Sequence, residues 1–116
     1  ILTYGKNVSD SIKNSVKGWA LEQEAKKDEA EQRYYAALQQ YSLMKSGEDK
    51  ALSNLRTVYS NYGENSTQFN DAMKSYKNST NTLFDANIEL SCARDHFNSA
   101  NKNAFMSYLT TRNLQG

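Results

Sequence analysis

The chain has 116 residues, 14 basic and 13 acidic for a net charge of +1, a single cysteine and no proline. The length fits one domain. The charges are interspersed, which argues against nucleic acid as a partner, and the lone Cys92 excludes an internal disulfide. No apolar run approaches the ~18 residues of a membrane span and no signal-peptide pattern opens the chain, so a soluble piece is expected. The start at Ile1 leads us to expect a fragment of a longer protein.

Absence of proline favours long helices, because proline costs about 3 kcal/mol in a helix interior. Residues 1–6 read as a frayed lead-in or the tail of an earlier helix, with Asn7 or Ser9 as candidate N-caps of the first long helix. Val8, Ile12, Val16 and Trp19 recur on one helical face, and residues 20–43 are rich in Ala, Glu, Gln, Lys and Leu, all strong helix formers. Ser46-Gly47-Glu48-Asp49 could end a helix. However, Ala30, Tyr34, Ala37, Tyr41, Met44, Glu48, Ala51, Leu55, Val58 and Tyr62 hold one three-four register straight through Gly47. One helix over about 7–62 is expected, locally loosened there at most.

Tyr62-Gly63-Glu64-Asn65-Ser66 reads as the turn. Gly63 suits the left-handed position that closes a helix, and Asn65 or Ser66 suits the next N-cap. After a turn at 63–66, a second helix is expected over about 67–113. Its seam alternates large and small: Phe69, Tyr76, Leu83, Leu90 and Phe97 against Ala72, Ser79, Ala86, Ala93 and Ala100.

The expected fold class is therefore all-α: a long antiparallel two-helix coiled-coil hairpin over 1–116, completed by a partner or a second copy. Residues facing each other should then have position numbers of constant sum. A sum of 127 pairs Val58 with Phe69, Leu55 with Ala72, Met44 with Leu83, Tyr41 with Ala86, Tyr34 with Ala93 and Ala30 with Phe97. In most such pairs a large residue meets alanine, the interdigitation that a close-packed interior needs. Polar groups interrupt the seam at Glu48 opposite Ser79 and at Lys27 opposite Ala100.

A two-helix hairpin buries one stripe per helix, and this sequence has apolar residues to spare. Val8, Ile12, Trp19 and Leu21 lie toward the open end of the first helix, and Phe105, Met106 and Leu109 toward that of the second. Tyr35, Leu38, Tyr59, Phe84 and Ile88 make a thinner second stripe. Such surplus predicts a protein partner or a homodimer. Lys6, Lys13 and Lys17 form a basic strip beside Val8, Ile12 and Trp19, of the kind that can lie on an anionic membrane surface.

Catalytic chemistry is not expected. Cys92 and His96 are four apart on one helical face, but a closed zinc site needs about four ligands and the sequence has no other Cys or His. A nucleophilic pair would need a pocket that excludes water, which a rod does not offer. No cofactor, metal or small-molecule substrate is expected. The charged run Glu22, Glu24, Lys26, Asp28, Glu29 and Arg33 reads as a solvated face with helix-stabilising pairs.

The segment Ser11-Ile12…Val16…Trp19, Glu24-Ala25-Lys26-Lys27 and Arg33-Tyr34-Tyr35-Ala36-Ala37-Leu38-Gln39-Gln40-Tyr41-Ser42 resembles the central helix of BAR and F-BAR domains. The later Ala93-Arg94-Asp95-His96-Phe97…Ala100…Phe105…Tyr108-Leu109 is similar to the returning helix of those folds. The resemblance implies a cytoplasmic, peripheral-membrane dimer whose basic concave face senses or imposes curvature. The Ala-rich seam from Asp49 to Ala100 also resembles the coiled-coil hairpin of bacterial type III secretion translocators, which implies a secreted component making chaperone and tip-protein contacts. A plain structural spacer is the third reading.

Overall fold

The computed structural model describes the backbone of residues 2–115 and the side chains of residues 7–114. Helix α1 runs from Leu2 to Tyr62 and helix α2 from Thr67 to Gln115. Helix α1 therefore starts earlier than the position near Asn7 that the sequence pattern suggests, and neither Asn7 nor Ser9 caps it. Nothing in Leu2-Thr3-Tyr4-Gly5-Lys6 stops a helix; Gly5 alone costs only about 1 kcal/mol. The helix also passes unbroken through Gly18 and Gly47, where an added Cβ would meet nothing within 4 Å.

The turn is built by two residues. Gly63 takes a φ of 78°, the left-handed conformation that glycine adopts without steric cost, and its N–H donates to the Tyr59 carbonyl at 2.9 Å. Ser66, not Asn65, is the N-cap of α2: its Oγ accepts from the Phe69 N–H at 3.0 Å. The same hydroxyl donates to the Gly63 carbonyl at 2.9 Å, tying the end of one helix to the start of the next.

The chain falls into two compact units. The turn unit, Tyr35–Cys92, packs the C-terminal part of α1 antiparallel to the N-terminal part of α2. Ala37, Ala72, Ala86 and Leu90 are buried there. Tyr41, Met44, Glu48, Ala51, Leu55 and Val58 from α1, with Phe69, Tyr76, Ser79 and Leu83 from α2, are half-buried at unbroken three-four spacing. Tyr62, the last member of that register in the sequence, is 57% exposed, because the chain turns away at Gly63. Tyr59 instead meets Phe69, with ring centroids 5.8 Å apart. At the polar interruption, Lys45 bridges both Glu48 and Asp49 at 3.4 Å, so the half-covered Glu48 carboxylate keeps a partner.

The open-end unit combines Ile1–Tyr34 with Ala93–Gly116. Its buried residues are Ala30, Ala93, Ala100, Ala104 and Ser107. Among the described residues of both units every buried one but Leu90 and Ser107 is alanine, so small side chains form the floor of each seam and large ones fold over them. The Ser107 hydroxyl donates to the Ala104 carbonyl at 2.8 Å within its own turn, which removes the cost of burying it unpaired.

Constant-sum pairing sets Tyr34 against Ala93, but in the structure Tyr34 stacks on Phe97 with centroids 5.8 Å apart. The difference is one helical turn and has a steric cause. Side chains on a helix lean toward its N-terminus. In an antiparallel pair Tyr34 leans toward the level of Ala30 and Phe97 toward the level of Ala93. The two rings converge over the alanines between them. Large residues thus meet at sums above the backbone register, as the Arg33–His96 contact does one residue earlier on each helix.

Candidate interaction surface

At the open end, sequence hydrophobicity and the seam part company. The half-buried positions of α1 are Lys13, Val16, Ala20, Gln23 and Lys27, continuing the three-four register, while Val8, Ile12 and Trp19 stand one flank away and are exposed. Lys13 thus belongs to the seam. Lys17 sits on the flank opposite Trp19, and Lys6 lies outside the described side chains. Leu21 is about 200° round the helix from Trp19 at 100° per residue. Phe105 and Met106 are exposed on either side of α2, and Leu109, toward the back of α2, is half-buried. The seven apolar residues therefore divide between flanks and do not form one patch.

One flank gathers into a surface. Lys17, Leu21 and Glu24 of α1 and Ala104, Tyr108 and Thr111 of α2 line a shallow groove of about 300 Å³. An adjoining groove of about 230 Å³ shares Glu24, Ala104 and Tyr108 and adds Phe105. Leu21 is 73% exposed, Phe105 59% and Tyr108 57%. Tyr108 is absent from the interface candidates that hydrophobicity along the sequence picks out. A signal for it exists all the same: it follows Phe105 by three and Ala104 by four, which sets it beside the seam on the Phe105 flank.

Charges frame the groove. The Lys27 Nζ lies 2.6 Å from Glu24 Oε1, and this hydrogen bond, against some desolvation, holds the Lys27 ammonium above the ordinary lysine value of 10.5. Lys26 pairs with Glu22 at 3.4 Å, one helical turn apart. Lys17, Asp28 and Arg112 make no ion pair among the described residues. On the opposite flank Arg33 Nη1 lies 3.2 Å from His96 Nδ1. A guanidinium can only donate, so in this contact Nδ1 accepts.

Cys92 is exposed, and among the described residues no three His, Cys, Asp or Glu side chains converge to hold a metal ion. No helix among them is long and apolar enough to cross a membrane. Comparison with known families finds no model that matches the chain, and no curated protein or solved structure matches it either.

Proposed function

We propose that the chain is a non-enzymatic helical-hairpin module that engages another protein through the open-end flank carrying Leu21, Phe105 and Tyr108. The observation that carries this reading is the pairing of an alanine seam with large apolar residues left outside it. Alanine lets the two helices approach closely without using the bulky side chains, and more than half of the surface of Leu21, Phe105 and Tyr108 stays in water. Burying each of them against a partner is worth about 1.5–3 kcal/mol of transfer free energy, whereas leaving them exposed returns nothing.

The membrane-binding form of this reading, BAR-like in character, needs cations gathered on one face. Here Lys17 shares its groove with Glu24, and Lys13 is half-buried in the seam, so protein is the partner this surface favours. The secretion-coil reading would use the same flank for a chaperone or tip-protein contact.

A photo-crosslinking residue placed at Leu21, Phe105 or Tyr108, in the cell that makes the protein, should give protein adducts. The same residue at the outward-facing Gln32 should give few. Equal yields at all four positions, or none at the flank, would sink the interaction reading. Pelleting with anionic vesicles at low salt and release at high salt would move the partner from protein to lipid.

A further inference from the structure

The flank is self-complementary, and we infer that its occupant is a second copy of this chain, docked antiparallel about a two-fold axis. The inference rests on the interaction reading of the same flank and names its partner.

Along the flank α1 presents Lys17, Leu21, Glu24 and Asp28, and α2 presents Asn101, Phe105, Tyr108 and Arg112, each at four-three-four spacing. The two groove linings set Leu21 beside Tyr108 and Glu24 beside Phe105. Read from the open end, the layers are Lys17 with Arg112, Leu21 with Tyr108, Glu24 with Phe105, and Asp28 with Asn101. The patch is thus basic at one end, apolar but for the Glu24 carboxylate in the middle, and acidic at the other end.

A two-fold interface brings each residue i onto j and j onto i. A two-fold axis crossing the helices between the Leu21 and Glu24 layers lays α1 over the second α1 and α2 over the second α2. It puts Tyr108 on the second Phe105 and brings the second Asp28 between Lys17 and Arg112. The same contacts then repeat on the other side of the axis. Lys17, Asp28 and Arg112, which make no ion pair within the described residues of the chain, all acquire one. A foreign protein could also cover Leu21 and Tyr108, but nothing would then relate the sign of charge at one end of the patch to that at the other.

The patch spans eleven residue steps of α1, about 17 Å at 1.5 Å per residue. That is the low end of interface size. The dimer should accordingly be weak, with a dissociation constant of about tens of micromolar.

A charge exchange tests this on the 116-residue chain by sedimentation equilibrium. Lys17→Glu with Arg112→Glu makes the patch wholly acidic, and Glu24→Lys with Asp28→Lys makes it wholly basic. Each variant alone should dimerise at least tenfold more weakly than the wild type, and an equimolar mixture should recover wild-type affinity to within about threefold. Raising salt should weaken the wild-type dimer severalfold and strengthen each homodimer of the variants. Because Glu24→Lys also removes the partner of Lys27, the neutral pair Glu24→Gln with Asp28→Asn is run beside it. That pair should weaken the dimer about threefold at unchanged helix content.

A wild-type chain that stays monomeric at several hundred micromolar overturns the second-copy inference. So does a mixture that associates no better than its components. Neither result touches the interaction reading, which falls if the crosslinker at Leu21, Phe105 and Tyr108 captures no protein, or no more than at Gln32. Flank adducts of a mass other than twice that of the chain would leave that reading standing with a different partner and overturn this inference.

Discussion

Substituting Ala93 with leucine tests the close approach of the helices at the most buried alanine of the seam. Ala93 is 0% exposed, one helical turn before Phe97, whose ring stacks on Tyr34 with centroids 5.8 Å apart. A leucine adds three heavy atoms where solvent reaches none, so either the rings leave their rotamers or the helices separate locally. Overpacking of this kind costs about 1–3 kcal/mol. For a chain of this length the corresponding loss is about 4–12 °C in melting temperature. Melts followed by far-ultraviolet circular dichroism, at concentrations too low for self-association, read it directly. Ala25→Leu supplies the control: it lies on the exposed face of α1 and should shift stability by no more than about 0.5 kcal/mol. If Ala93→Leu melts at or above wild type, the seam has unused room and the close approach inferred from the alanines is wrong.

The same melts check the turn and the glycines. Ser66→Ala, which removes the Oγ bonded to Phe69 N–H and Gly63 O, should cost about 1 kcal/mol. Gly63→Ala forces a side chain into φ 78° and should cost about 1–2 kcal/mol, whereas Gly47→Ala, in a helical conformation with open space around it, should stabilise by about 1 kcal/mol. If Gly63→Ala melts at or above wild type, the conformational argument for Gly63 is wrong. On the alkaline side, the Glu24 hydrogen bond to Lys27 and the Glu48 hydrogen bond to Lys45 each raise a lysine above its ordinary 10.5. A raised lysine contributes stability that is complete below its unfolded value and is lost as pH climbs through the folded one. Stability should therefore decline above about pH 10.5, and less steeply in Lys27→Met. Identical alkaline slopes would show that Lys27 does not contribute.

The all-helical hairpin is legible in the sequence because one register dominates. The three-four spacing of Ala30, Tyr34, Ala37, Tyr41 and Met44 persists as burial in the structure, and Gly47 lacks the strength to break it. Gly63 and Ser66 mark the turn by chemistry that few other residues perform. Near the open end the sequence is a poorer guide. Val8, Ile12 and Trp19 are strongly apolar, yet the register set by the rest of α1 leaves them outside and presents Lys13, Gln23 and Lys27, with Val16 and Ala20, to the seam. Local hydrophobicity yields to continuity of the helix, since turning Trp19 inward would mean shifting every position after it. The Tyr34–Phe97 contact escapes a count of residue numbers because that count ignores the lean of side chains along a helix. Tyr108 is easily passed over because a single tyrosine beside a seam shows its significance only when Leu21 is seen across from it.

The tie that Ser66 makes to Gly63 has a kinetic consequence. Tyr59 and Phe69 are close in sequence and need only a short loop to meet, whereas Tyr34 and Phe97 must close a loop about six times longer. With closure entropy growing as 1.5RT ln n, the difference is about 1.6 kcal/mol if both contacts form independently. It vanishes if the turn forms first and each later pair adds only the next few residues. The hairpin should therefore close like a zip from Ser66 outward, quickly for its length, because each new contact is local to the last. Parting should run in the reverse order. The layers that carry Leu21 and Tyr108 would be among the last to join and the first to open.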